Sequence, residues 1–249
     1  APPPTVIVSY KAALQSSVFL EKVKIRTWKE FFFTCGTPKG ILMKNAFTGE
    51  GTEMELICLG DSITYGYGVR SAQRWTTLVG QALACPVVNL GVSGDTTGGM
   101  LARLNTEVIP RLRQQPLGMR STVLLMGGVN DIFYSGVDTG ARANMGAMVQ
   151  QVLTAGGRCV VLSPLAVSFP TVTPEWQEVM RPSNKATLEA YHQWLALFCR
   201  TFRVPYVALY DLLRDADGTP RPELYLDGLH PTVEGHRLMA EQIAAALRR

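Results

Sequence analysis

The stretch MELICLGDSIT, residues 54–64, decides the fold. It places a short apolar run directly before a glycine, an aspartate and a serine. Apolar runs of this length that are bounded by turn residues are typical of buried strands in a parallel sheet. Ser62 therefore stands at the point where a first strand ends and a helix can begin.

Four further apolar runs follow, and helical patterns separate them. The five predicted strands cover residues 55–59, 86–90, 121–126, 158–162 and 204–208. The predicted helices cover residues 73–84, 100–112, 142–155, 183–202 and 232–249, with Ser183 and Thr232 as N-caps of the last two. Alternating strands and helices with right-handed crossovers predict an α/β fold: a three-layer α/β/α sandwich around a flavodoxin-like, five-stranded parallel sheet.

The composition excludes several classes of protein. The 249 residues are 47% hydrophobic and 18% charged, which excludes a disordered or fibrous chain. No run of 18 apolar residues occurs, so we expect no stable insertion into a membrane. A net charge of +4 without an arginine-rich patch predicts no nucleic-acid partner. The oligomeric state is not indicated.

The first 53 residues differ from the rest in their choice of cation. They hold six lysines and one arginine, whereas residues 54–249 hold one lysine and sixteen arginines. The physical roles of lysine and arginine on exposed surfaces overlap broadly. The different preference therefore indicates that the two parts of the chain have separate origins. We interpret residues 1–53 as an N-terminal extension of foreign or non-homologous origin, and residues 54–249 as the functional domain. A small N-terminal domain in its own right is the alternative.

The five cysteines give no disulfide or zinc pattern, since their number is odd and no C-x-x-C spacing occurs. A reducing compartment is the simpler expectation, and the sequence shows no secretory signal segment. We therefore expect a cytoplasmic protein, with a secreted or periplasmic mature chain as the alternative.

The groups required for acyl transfer follow the predicted strands or precede the last helix. Ser62 is the candidate nucleophile, His230 the base that takes its proton, and Asp227 the group that orients the histidine. The candidate oxyanion donors are the N–H groups of Ser62 and Gly94 and the side chain of Asn130. Ligands of open parallel sheets bind at the carboxyl ends of the strands, where these residues are expected to meet.

Four short motifs together carry a resemblance to a known family. GDSIT with Ser62, SGD with Gly94, G-x-N-D with Asn130, and D-x-x-H with Asp227 and His230 occur in the order found in SGNH (GDSL-type) hydrolases. The sequence resembles this family over residues 56–231. The resemblance implies esterase or thioesterase activity on small acyl esters with the roles given above, and neither a metal nor an organic cofactor. Asp95 and Thr96 after Gly94 make the sequence most similar to the branch of arylesterases, acyl-CoA thioesterases and lysophospholipases.

Two alternatives remain open. A carbohydrate acetylesterase would share the mechanism and differ in its pocket, and a flavodoxin-like binding module would keep the motifs as structural turns. The spacing of the three histidines argues against a metal hydrolase. The absence of G-x-S-x-G argues against the nucleophile elbow of an α/β-hydrolase. We expect His192 and His236 to have surface or packing roles. Five aromatic residues are candidate pocket residues: Tyr65, Tyr67, Phe133, Tyr134 and Trp176.

Overall fold

The structure, a computed structural model, describes residues 54–116 and 119–248. It confirms the predicted parallel sheet. The strands are Met54–Gly60 (β1), Val87–Gly91 (β2), Arg120–Met126 (β3), Arg158–Leu162 (β4) and Tyr206–Val207 (β5). They are all parallel and lie in the order β2-β1-β3-β4-β5, which is the flavodoxin-like order. The predicted extension, residues 1–53, lies outside the described residues, so its boundary stays a prediction.

Helices cover both faces of this sheet. They are Ser62–Tyr65 (α1), Trp75–Leu83 (α2), Thr97–Arg103 (α3), Ile109–Arg113 (α4), Val129–Ser135 (α5), Thr139–Thr154 (α6), Lys185–Phe202 (α7) and Val233–Leu247 (α8). α2 packs against α8, whereas α6 packs against α3, α4 and α7. Consecutive residues of β1 and β3 are buried, as expected for strands that are covered on both faces.

The structure corrects two details of the sequence-based prediction. A π-helical segment, Leu104–Val108, interrupts the helix predicted at residues 100–112, next to Pro110, which lacks an N–H and crowds the preceding turn. The prediction of Ser183 as an N-cap was wrong. Ser183 already lies within the 3₁₀ turn Pro182–Asn184, and α7 begins after Asn184, which makes no side-chain capping bond. Thr232 caps α8, as predicted.

Helix α1 lies directly on the ends of β1 and β2, with no room for a side chain between them. Gly60 pairs with Gly91 in the sheet. A Cβ atom added to Gly91 would lie within 2.6 Å of the Thr64 carbonyl carbon and of the Tyr65 Cα. Both atoms belong to the backbone of α1, so they move only if the whole helix moves. The position of Ser62 on α1 therefore depends on a glycine at residue 91.

We predict that Gly91→Ala destabilises the protein by about 1–3 kcal/mol, because overpacking against backbone is not relieved by a rotamer change. Gly146→Ala is the matched control. Gly146 lies inside α6, and a Cβ there would lie 3.8 Å from the Phe198 ring, an ordinary van der Waals distance. This control should stabilise the protein by about 0.5–1 kcal/mol. Urea unfolding measures both changes, and a stabilising Gly91→Ala would contradict the packing described above.

Two buried titratable groups lie close to α1 and α8. His236 of α8 is fully buried, and its Nδ1 accepts a hydrogen bond of 3.3 Å from the Trp75 N–H. Burial, together with the charges of His230 and Arg74, lowers the pKa of His236 to about 4. Asp61 caps α1 by accepting a hydrogen bond from the Ile63 N–H. Burial raises the pKa of Asp61 to about 6.

These two shifts have opposite effects on stability between pH 6.5 and 4.5. The unfolded chain protonates His236 while the folded chain does not, so this residue lowers stability by about 2 kcal/mol as the pH falls. The folded chain protonates Asp61 while the unfolded chain does not, so this residue raises stability by about 2 kcal/mol over the same range. The two contributions therefore nearly cancel.

We predict that the stability of His236→Gln rises relative to that of the wild type as the pH falls from 6.5 to 4.5, because the destabilising protonation of His236 in the unfolded chain is removed. Asp61→Asn should have the reverse effect. Urea unfolding of the three proteins at both pH values measures the differences. Parallel pH profiles for the wild type and both variants would contradict the assignment of these shifts.

Candidate active site

The carboxyl ends of β1, β2 and β3 bring three of the predicted residues together. Ser62 follows β1, Gly94 follows β2 and Asn130 follows β3, and all three line one cleft together with His230. His230 comes from the loop that precedes α8. Asp227 lies on the same loop, behind the His230 ring. The structure thus places all five predicted site residues at one edge of the sheet.

Ser62 is the first residue of α1, and Asp61 is the N-cap of that helix. This position turns the serine out of the strand direction while the side chain stays buried, with 6% of its surface exposed. The Ser62 Oγ lies 2.8 Å from the His230 Nε2, which is hydrogen-bonding distance. The helix is only four residues long.

Asp227 both orients the His230 ring and shapes the loop that carries it. Its Oδ2 lies 2.6 Å from the His230 Nδ1. Its Oδ1 accepts hydrogen bonds from the backbone N–H groups of Leu229, at 3.1 Å, and His230, at 2.9 Å. Burial opposes ionisation of Asp227, but these hydrogen bonds and the nearby imidazole outweigh it and lower the pKa of the carboxyl group. Asp227 is therefore held as a carboxylate.

Two aromatic side chains contact the His230 ring. The Tyr67 ring centroid lies 4.4 Å from the His230 centroid, with the planes inclined by 40°. Trp176 approaches edge-on, at a centroid distance of 6.4 Å. Together with Asp227 these contacts restrict the rotation of the imidazole, so its Nε2 stays directed at the serine.

The two remaining oxyanion candidates follow β2 and β3, the strands on either side of β1. Gly94 has a φ of +76°, a left-handed conformation that favours glycine, in a turn closed by a hydrogen bond of 3.2 Å from the Asp95 N–H to the Val92 carbonyl. The Asn130 Nδ2 donates to the Asp95 carbonyl at 2.8 Å. One amide hydrogen of Asn130 is thus used to fix the side chain, and the second is available to a ligand.

The cleft above Ser62 is lined mainly by apolar and aromatic side chains. Besides the residues already described, its lining comprises Ser93, Phe133, Tyr134, Val179, Met180 and Leu229. Four of the five predicted aromatic residues therefore lie in this cleft. The exception is Tyr65, whose ring lies under the Arg74 guanidinium at 4.5 Å. Val179 and Met180 belong to the proline-rich segment, residues 164–182.

The other two histidines make packing contacts, as expected. The His192 ring stacks on Tyr210 at a centroid distance of 4.4 Å, and its Nδ1 lies 3.1 Å from the Tyr206 hydroxyl. Within residues 54–116 and 119–248, no group of three or more histidine, cysteine, aspartate or glutamate side chains is arranged to hold a metal ion. No helix in this part of the chain has the length and apolar character required to cross a membrane.

Sequence reasoning missed a set of polar contacts next to the oxyanion candidates. Asp131 accepts hydrogen bonds from both the N–H and the hydroxyl group of Thr97, at 2.9 and 2.6 Å. Asp95 pairs with Arg103 at 2.7 Å. The available signal was that two acidic residues, Asp95 and Asp131, directly follow the two candidate oxyanion residues in the sequence.

Comparisons with known proteins find similar chains among esterases. The chain is 28% identical to an arylesterase of Vibrio mimicus over 199 residues, which cover 78% of this chain and 88% of the relative. It is 22% identical to esterase TesA of Pseudomonas aeruginosa over 218 residues, which cover 84% and 95% of the two chains. An aryl esterase of M. smegmatis shares the fold, with a TM-score of 0.64 at 21% identity over 78% of this chain and 98% of that one.

The model of the GDSL-like lipase/acylhydrolase family matches residues 58–238, a range that includes Ser62, Gly94, Asn130, Asp227 and His230. This match covers well over half of the chain and confirms the family predicted from the four sequence motifs. The chain is therefore a member of the GDSL-like lipase/acylhydrolase family.

Proposed function

We propose that the protein is a serine esterase that hydrolyses aryl or acyl esters, or thioesters, through an acyl-enzyme. The observation that carries the proposal is the hydrogen-bonded chain from the Ser62 Oγ through His230 to Asp227, at 2.8 and 2.6 Å, at the base of an apolar cleft. A serine, a base and a group that orients the base are the requirements for nucleophilic acyl transfer.

In the first half of the proposed reaction, the His230 Nε2 takes the proton from the Ser62 hydroxyl while the Oγ attacks the ester carbonyl carbon. The carbonyl oxygen becomes an oxyanion that accepts hydrogen bonds from the Ser62 N–H, the Gly94 N–H and the Asn130 amide. When this intermediate collapses, the bond to the leaving oxygen or sulfur breaks, and the imidazolium returns its proton to the leaving group. The Asp227 carboxylate stabilises the imidazolium in between.

In the second half, water takes the place of the serine as nucleophile. His230 removes a proton from the water molecule as the water oxygen attacks the acyl carbon, and the same three donors stabilise the second oxyanion. Collapse breaks the bond between the acyl carbon and the Ser62 Oγ, and the proton held by His230 restores the serine hydroxyl. The carboxylic acid product then leaves the cleft. The proposed roles are thus complete without any further group.

The lining of the cleft favours aryl and apolar acyl esters over acetylated sugars. Tyr67, Phe133, Tyr134 and Trp176 offer flat apolar faces to a substrate, whereas sugar hydroxyls require many polar partners. The similarity to an arylesterase points in the same direction. We therefore place the carbohydrate acetylesterase second.

Ser62→Ala should reduce the kcat for p-nitrophenyl acetate by about 10⁴-fold or more, because no other oxygen takes the position of the nucleophile. The melting temperature should stay close to that of the wild type. Ser121→Ala is the matched control. The Ser121 hydroxyl is buried and donates to Glu55 at 2.9 Å, near the amino end of β3, so that this variant should retain full kcat.

Labelling by a fluorophosphonate probe separates the esterase from the alternative of a binding module. The esterase reacts covalently with the probe, and the reaction is lost in both Ser62→Ala and His230→Ala. A folded wild-type protein that neither takes up the probe nor hydrolyses any ester of the panel described below would exclude the proposed mechanism and favour the binding module.

The preference for aryl esters predicts the effect of truncating one cleft residue. Tyr134→Ala should raise the KM for phenyl and p-nitrophenyl esters about 3- to 10-fold, because the aromatic face against the substrate is lost. Tyr65→Ala is the control, since Tyr65 is also a partly exposed tyrosine but packs under Arg74, outside the cleft lining.

A panel of substrates tests the preference itself, and it compares aryl esters of increasing acyl length, an acyl-CoA and an acetylated xylose. Higher kcat/KM on the sugar ester would favour the carbohydrate acetylesterase.

A further inference from the structure

We infer that Arg103 is a positioning residue for the proposed reaction, because its guanidinium group fixes the segment that carries Ser62 relative to the segment that carries Gly94. The inference rests on the proposed esterase function. Arg103 is the last residue of α3 and lies outside the cleft lining. It therefore acts through other residues and makes no contact with the substrate.

The guanidinium group binds the end of β2 and the turn that follows it. The Arg103 Nη1 donates to the Leu90 carbonyl at 2.9 Å. The Nε and Nη2 donate to the Oδ2 of Asp95 at 3.0 and 2.7 Å. Gly94 lies between these two anchor points in the sequence, so its backbone N–H belongs to a segment that is held at both ends.

The same group also binds the end of β1. The Arg103 Nη2 donates to the Gly60 carbonyl at 3.2 Å. Gly60 precedes Ser62 by two residues, and its carbonyl also accepts the Val92 N–H at 3.1 Å. The arginine therefore joins the carboxyl ends of two strands through the Gly60 and Leu90 carbonyl groups.

The connection extends to the third oxyanion donor. The Asp95 carboxylate is bound by Arg103, and the Asp95 backbone carbonyl accepts the Asn130 side-chain amide at 2.8 Å. A displacement of Asp95 thus moves both Gly94 and the partner of Asn130. One guanidinium group accordingly sets the distances among the Ser62, Gly94 and Asn130 donors.

Only arginine has the geometry for this set of contacts. Its planar fork donates from three nitrogens in fixed directions to a carboxylate and two carbonyl groups, whereas the lysine ammonium is a single point of charge. The side chains of Arg103 and Asp95 are 20% and 11% exposed, so their interaction is only partly screened by solvent.

The test compares Arg103→Gln and Arg103→Lys with the wild-type protein on p-nitrophenyl acetate. We expect the kcat of Arg103→Gln to fall about 10- to 100-fold, because small displacements of reacting groups and the loss of oxyanion donors both have effects of this order. The KM should change by less than about 3-fold, because the cleft lining stays intact. Arg103→Lys should recover only part of the lost kcat.

Arg142 provides a matched control for the loss of a partly buried ion pair. Its Nε and Nη2 donate to one carboxylate oxygen of Asp138 at 2.8 and 2.5 Å, but this pair lies at the start of α6. Arg142→Gln should lower the melting temperature without lowering kcat. An equal loss of kcat in Arg142→Gln and Arg103→Gln would reduce the role of Arg103 to general stability and overturn the inference.

A double-mutant cycle tests whether Arg103 acts through the oxyanion donors. In an Asn130→Ala background, Arg103→Gln should lower kcat clearly less than it does in the wild-type background, because one of the donors that it positions is already absent. Multiplicative effects would contradict the inference. Asp95→Asn provides a second test if Arg103→Gln fails to fold, since it weakens the ion pair while preserving the size of the side chain. It should lower kcat in the same way.

These outcomes are distinguishable from a failure of the proposed function. If the wild-type protein shows no Ser62-dependent ester hydrolysis, the esterase proposal fails together with this inference. If the wild-type protein is active and the Arg103 and Asp95 variants keep its kcat, only the positioning role is wrong.

Discussion

The structure of the site depends on the register in which β1, β2 and β3 end. Gly60, the last residue of β1, pairs with Gly91 of β2 and Met126 of β3. Parallel strands that end in register deliver the segments after them to one edge of the sheet, which is why residues far apart in the sequence meet. Within that edge, the close contact of α1 with Gly91 decides where Ser62 lies. The same contact thus packs α1 on the strand ends and places the candidate nucleophile.

The environment separates the two carboxyl groups near His230 into different states. Asp227 receives two backbone N–H groups and the imidazole, and its pKa is lowered. Asp61 receives one backbone N–H in a fully buried position, and its pKa is raised to about 6. Burial dominates at Asp61, whereas at Asp227 the hydrogen bonds and the nearby imidazole outweigh burial. As the pH falls from neutral, Asp61 therefore becomes protonated before Asp227, and Asp227 keeps its negative charge beside the imidazole.

Much of the fold was predictable because its signals are local. The strands are short apolar runs, and the sequence located all five of them to within two residues at each end. The helix α5 was missed because it is only seven residues long and its first turn coincides with the G-x-N-D motif, which is typical of a turn. The cap at Ser183 was wrong because Pro182 begins a 3₁₀ turn whose backbone geometry a pattern of polar residues does not reveal.

The residues of the candidate site also divide into those that the sequence predicted and those that it did not. Ser62, Gly94, Asn130, Asp227 and His230 were found because each lies in a short motif next to a predicted element. Arg103 was not found, since its partners include the Gly60 carbonyl, 43 residues earlier in the sequence. Backbone carbonyl groups carry no sequence signal, so an arginine that binds them resembles any arginine at the end of a helix. Contacts of this kind arise only when the fold brings distant segments together.

The close spacing of Asp227 and His230 has a structural consequence of its own. One carboxylate oxygen contacts the imidazole, while the other accepts two N–H groups of the loop that carries the imidazole. A substitution of Asp227 therefore changes both the loop conformation and the charge beside the ring. Its effect on the reaction combines these two changes, and a single variant does not separate them. Ser62 differs, because its hydroxyl makes a side-chain contact with His230 while backbone contacts hold α1. At the serine, stability and chemistry are separable, whereas at the aspartate they depend on the same three hydrogen bonds.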